Sequence, residues 1–157
     1  MDFLVWLEST MIADAIRTSV WMYPALESAH YIGLSFLVGG IMLIDLRLLG
    51  VAKSLPIRSM IGLLRWVWAG FIINVTTGTL IFIYGATNFG TNGAFLLKMT
   101  FMVLAGINAL IFTVIAARSG REWIDSGHVP VFVKSVATAS LVLWLCVVTT
   151  GRWMAYV

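Results

Sequence analysis

Four stretches of mostly apolar residues, at 25–49, 64–84, 94–117 and 131–150, take up more than half of this 157-residue chain. An α-helix needs about 20 such residues to cross the hydrocarbon core of a bilayer, so each stretch predicts a membrane-spanning helix. The composition demands the same solvent. With 61% hydrophobic and 11% charged residues, a water-soluble fold of this size would carry more apolar surface than its interior hides. The expected fold is therefore an all-α integral membrane protein, an antiparallel four-helix bundle forming one domain over residues 1–157.

The segments between the spans support this reading. Residues 50–56, 85–93 and 119–127 are polar and rich in glycine, as connections should be, and their shortness makes consecutive helices antiparallel neighbours. Pro24 and Pro130 stand where the first and fourth helices begin, and Pro56 predicts that the second begins in water. The net charge of +3 forms no basic face of the kind that binds nucleic acid. It is distributed by topology: Arg47, Lys53, Arg58 and Arg65 flank the first connection and Arg118, Arg121 and Lys134 the third, against Arg17, Lys98 and Arg152 on the other side. The positive-inside rule then places both termini outside the cytoplasm, which in a bacterial inner membrane is the periplasm. Trp21, Tyr23, Tyr84, Trp153 and Tyr156 form the outer aromatic belt on this orientation, and Trp66, Trp68 and Trp123 the inner one.

Residues 2–20 lack the basic start and small-residue cleavage site of a signal peptide, so this segment is expected to be retained. Leu4, Leu7, Met11, Ala15 and Val20 recur at helical spacing, which predicts one amphipathic helix lying in the outer interface or against the bundle. Gly33, Gly39, Gly70, Gly78, Ala105 and Gly106 lie within the spans, where small residues allow the close backbone approach that drives helix association in lipid.

Ionisable groups inside a bilayer mark function or pairing, and the first span has them at both ends. Glu27 and His30, three residues apart, share a helix face, while Asp45 and Arg47 at the inner boundary read first as a locally compensated anchor and second as a proton or effector site. Glu-x-x-His is half of a di-iron motif, but such sites need a second copy and two further glutamates, and only Glu8 and Glu122 remain, outside the spans. His30 suits an axial haem ligand instead. His128, at the opposite end of the bundle, cannot be its partner across a ~30 Å core. Met99, Met102 and Met154 fall at the depth of His30 because the helices alternate in direction. Lys98 and Arg152 lie at the same level and suit haem propionates, Glu27 or lipid phosphate. The same set, His30 with methionines, also suits a soft copper ion. Asn74, Thr76, Thr77, Thr79 and Asn108 allow a small polar cavity for a quinone head group, although Thr more commonly bonds its own helix and Asn a neighbouring one. The lone Cys146 forms no intramolecular disulfide and no cysteine metal site. No phosphate loop, nucleophile elbow or His-x-x-x-His site occurs.

Tyr23-Pro-Ala-Leu-Glu-Ser-Ala-His30, Gly40-Ile-Met-Leu-Ile-Asp-Leu-Arg-Leu-Leu-Gly50, Asn92-Gly-Ala-Phe-Leu-Leu-Lys98 and Gly151-Arg-Trp-Met-Ala-Tyr156 together resemble an uncharacterised family of small bacterial four-helix inner-membrane proteins. More distantly the chain looks like the copper-resistance D and di-haem cytochrome b groups. It departs from the cytochrome b pattern in lacking paired histidines on two helices, which puts two haems out of reach. The resemblance implies fold and location. The expected function is a small redox module that holds one haem b near the periplasmic face and exchanges electrons with quinone or a protein partner. The alternatives are periplasmic-side copper handling and a cofactor-free accessory subunit, partnered or homo-oligomeric, whose N-terminal helix docks a partner.

Overall fold

The computed structural model describes residues 2–51, 53–118 and 128–156. The third connection, with Arg121, Glu122 and Trp123, lies outside these residues. The side chains of Arg58 and Arg118 are likewise not described.

The four expected spans are helices Met22–Leu49, Leu64–Tyr84, Gly93–Arg118 and Val131–Trp153. All are long and apolar enough to cross a membrane, so the protein is multi-pass and its solvent is the lipid bilayer. Local chemistry sets the helix ends. Gly50 closes the first span at φ +96°, a left-handed conformation that disfavours a Cβ, and Val51 N–H returns to Leu46 O at 3.0 Å in a Schellman-type stop. Asn92 starts the third span, its Oδ1 accepting from Phe95 N–H at 3.0 Å. The inner connection contains a short helix, Ile57–Ile61. Its Ile57 joins Leu48, Val133 and Ala137 in an apolar plug that closes the inner ends of the first and fourth spans.

The spans pack in the order second, first, fourth, third, and the first-to-second contact is the most extensive. Glycines make that contact close. A Cβ on Gly70 would stand 2.6 Å from both Gly33 O and Leu37 N, and one on Gly40 would stand 2.5 Å from Val67 Cγ2. Backbones approach this way when van der Waals packing must drive association in lipid. The second and third spans, neighbours by sequence, instead meet through rings at the outer end, Phe82 on Phe95 at 5.4 Å and Phe89 on Phe95 at 5.8 Å. The second connection between them forms a helix of its own, Ala86–Thr91.

The N-terminal segment departs from the single helix expected. It forms two, Asp2–Glu8 and Met11–Thr18, broken where Ser9 and Thr10 hydroxyls bond Trp6 O and Leu7 O, each at 2.7 Å. Such side-chain bonds compete with the helical ladder. The break also resets the packed face, which runs through Leu4, Leu7, Thr10, Ala13 and Ile16. Met11, Ala15 and Val20 face outward. Leu4 packs against Gly90, and both helices sit on the outer end of the second span and its connection.

Candidate functional site

His30 occupies the outer third of the first span, half-buried against the second. Its Nδ1 is 2.9 Å from Thr77 Oγ1, and Thr77 Oγ1 is 2.7 Å from Ile73 O. A hydroxyl has one proton, and two oxygens 2.7 Å apart repel unless a proton lies between them. The Thr77 proton therefore goes to Ile73 O, and His30 Nδ1–H donates to Thr77 Oγ1. That assignment leaves Nε2 as the ring's free lone pair. Gly78 makes room for the ring, since a Cβ there would stand 3.3 Å from His30 Cε1.

The third and fourth spans complete this level. Lys98 is half-buried with its ammonium within Coulombic range of the His30 ring. Its stem lies along Gly151, where a Cβ would stand 3.6 Å from Lys98 Cδ and Cε. No described carboxylate pairs with it. Met102 and Met154 are half-buried, and Met154 O accepts from Asn92 Nδ2 at 3.4 Å. Met99 is 40% exposed on the outward face of the third span. Glu27 is exposed and makes no contact with Lys98. Arg152 is exposed and turned to Tyr156, its Nη2 donating to the phenol oxygen at 2.7 Å with the guanidinium over the ring. Among the described residues no group of three His, Cys, Asp or Glu side chains converges to hold a metal. Two surface grooves flank Ser35 and Gly39, farther down the first span, and neither includes His30.

The polar residues considered for a quinone cavity mostly serve the helices. Asn74 Nδ2 bonds Gly70 O at 3.0 Å, Thr79 bonds Val75 O at 2.7 Å, and Asn108 Nδ2 bonds Val136 O of the fourth span at 3.2 Å. Thr77 differs in turning its oxygen to His30 as well. Sequence reading grouped it with its neighbours and missed that role; the small residue beside it, Gly78, was the available signal.

The Asp45 and Arg47 pair expected at the inner boundary does not form. Residues two apart on a helix do not face each other. The Arg47 guanidinium donates to Leu55 O and Lys53 O and ties down the connection, while Asp45 turns to Ser140 of the fourth span.

Residues 3–157 match the model of a family described as a family of unknown function, DUF6644. No curated protein and no solved structure matches the chain.

Proposed function

We propose that this chain, which belongs to the family of unknown function DUF6644, is a small redox module of the bacterial inner membrane. It holds one b-type haem through His30 near the periplasmic face, with both termini on that side. The observation that carries the reading is the bond from His30 Nδ1–H to Thr77 Oγ1 at 2.9 Å. Ligating histidines are commonly held through one ring nitrogen so that the other points at the metal, and here Nε2 is the nitrogen left over.

The donor set favours a porphyrin over a bare ion. A closed protein site needs several converging ligands, and among the described residues no three His, Cys, Asp or Glu side chains converge, so a bare ion would rest on His30 and methionine sulfur. Haem brings four nitrogens of its own and asks the protein for axial ligands. Half-buried Met102 and Met154 would offer sulfur donors beside His30, and Lys98 would offer a cation to a propionate. When bound, haem would supply one-electron chemistry at iron. The protein's part is to orient the imidazole, fix its tautomer and hold the anionic edge, with quinone or a membrane partner as the electron exchange partner.

A second reading, an accessory subunit without cofactor, draws on the third span. Ala105 is its only fully buried side chain among those described, which leaves most of the helix to lipid or a neighbouring protein. One comparison separates the readings. Wild type, His30→Ala and His128→Ala are produced with haem and copper supplied, and their absorbance and metal content are measured. A reducible Soret band lost only in His30→Ala supports the haem site, and copper without porphyrin supports the soft-metal form. A colourless, metal-free wild type overturns both and leaves the accessory role.

A further inference from the structure

Asp45 carries a carboxyl group buried inside the bundle with no counter-charge among the described side chains. It is 6% exposed. Its Oδ2 has no hydrogen-bond partner, and the Ser140 hydroxyl of the fourth span faces the carboxyl group.

Among the described side chains, no element near it supplies a cation. Arg47, on the same helix, is committed to the carbonyls of Leu55 and Lys53, and Lys53 is exposed. On the fourth span, Lys134 is exposed at the inner end and the thiol of Cys146 lies six residues outward of Ser140. The second span carries Arg65, exposed and stacked over Trp66 at 5.8 Å. The third has no ionisable residue between Lys98 and Arg118. It contributes Asn108, whose amide bonds the carbonyl of Val136, one turn before Ser140. Asp45, Ser140 and Asn108 thus form a polar layer across the first, fourth and third spans. One turn inward, the plug of Leu48, Ile57, Val133 and Ala137 separates that layer from the inner aqueous phase.

An ionised carboxylate in such a place is costly, and buried acids without a partner charge take up a proton instead. A hard metal ion is a poor substitute, because it needs roughly six or more oxygen ligands and this layer offers one carboxyl, one hydroxyl and one amide oxygen. We infer that Asp45 is a proton-binding site of the bundle, held as the neutral acid by Ser140 in the seam between the first and fourth spans. That seam is less extensive than the contact between the first and second spans. Releasing the proton requires water or a cation to reach the carboxylate, so proton exchange and opening of this seam are one event. The site is independent of His30, which faces the second span.

The test is infrared spectroscopy of the full chain in lipid, with aspartate carboxyl groups isotopically labelled to mark their bands. At neutral pH the wild type should show an aspartic-acid carbonyl band that moves with the label, is absent from Asp45→Asn, and disappears on alkaline titration. Ser140→Ala should shift that band by removing its hydrogen bond. This second variant keeps the inference testable if Asp45→Asn fails to insert. Absence of a label-sensitive acid band at neutral pH, or a band unchanged in both variants, overturns it.

Discussion

Glu8 reaches Thr87 across 79 residues of sequence, its Oε1 accepting the Thr87 backbone N–H at 2.8 Å and the Thr87 hydroxyl at 2.7 Å. The carboxylate thereby caps the short helix Ala86–Thr91 from another part of the chain, where a negative charge also meets the positive end of the helix. With Leu4 against Gly90 and Arg17 over Tyr84 at 6.0 Å, this contact docks the N-terminal helices on the chain's own second connection and the end of the second span.

Acid should release that docking. The Thr87 hydroxyl first, its backbone N–H next and then the charge of Arg17 hold the Glu8 carboxyl below its ordinary value of 4.5. A group whose folded value is depressed adds stability that is complete above the unfolded value and lost as pH falls through the folded one. Protection of the amides of residues 2–18, corrected for the intrinsic pH dependence of exchange, should therefore be high at neutral pH and fall as pH drops through the lowered folded value. Glu8→Gln should raise neutral-pH exchange and flatten the dependence. Equal exchange in wild type and variant would show that Leu4 and Ile16 packing alone holds the segment.

Thr77→Val removes one hydroxyl at nearly constant volume. The loss should be about 1 kcal/mol or less of bundle stability, the usual worth of an interhelical hydrogen bond in lipid. Loss of the nitrogen anchor should weaken any ligand bound at His30 Nε2 by about 10–100-fold, as for other groups that orient a ligating histidine. Cofactor titration beside thermal unfolding in detergent reads both. A stability loss with unchanged ligand affinity would make the contact purely structural.

Glycine substitutions should divide sharply by position. Alanine at Gly70 places a Cβ 2.6 Å from two backbone atoms of the first span, so the helices must move apart, at a cost of roughly 1–3 kcal/mol. Alanine at Gly39 or Gly106 meets nothing within 4 Å and should be neutral or slightly stabilising through helix propensity. Unfolding midpoints of the three variants make the comparison.

The orientation is tested by single cysteines at Ser54 and Asn88, exposed positions on opposite sides of the membrane, in a Cys146→Ala background. An impermeant thiol reagent, applied to cells with a permeabilised outer membrane, should label position 88 and spare position 54. The reverse pattern inverts the topology.

The inner boundary shows where adjacency in sequence misleads. Asp45 and Arg47 look like a pair when read along the chain, yet on a helix they diverge, one toward Ser140 and the other toward Leu55. The same applies to Met99. It shares its depth with His30, but depth fixes only the coordinate along the helix axis, and rotation turns Met99 outward.

The sequence by itself determined the solvent, the four spans and nearly all their ends, because length and apolarity are properties of a segment and lipid leaves a spanning segment little choice but to satisfy its own backbone as a helix. It also determined that His30 and Lys98 share a level, since alternating direction follows from the short connections. Tertiary structure decided the rest: that the first span lies between the second and fourth, that Thr77 meets His30, that Ser140 rather than Arg47 faces Asp45, and that the N-terminal segment breaks at Ser9 and Thr10. The physical reason is common to all of these. Lipid surrounds every helix with similar apolar surface, so rotation and neighbour choice are set by close contact at positions such as Gly33, Gly70 and Gly78 and by individual hydrogen bonds, and those exist only after the helices meet.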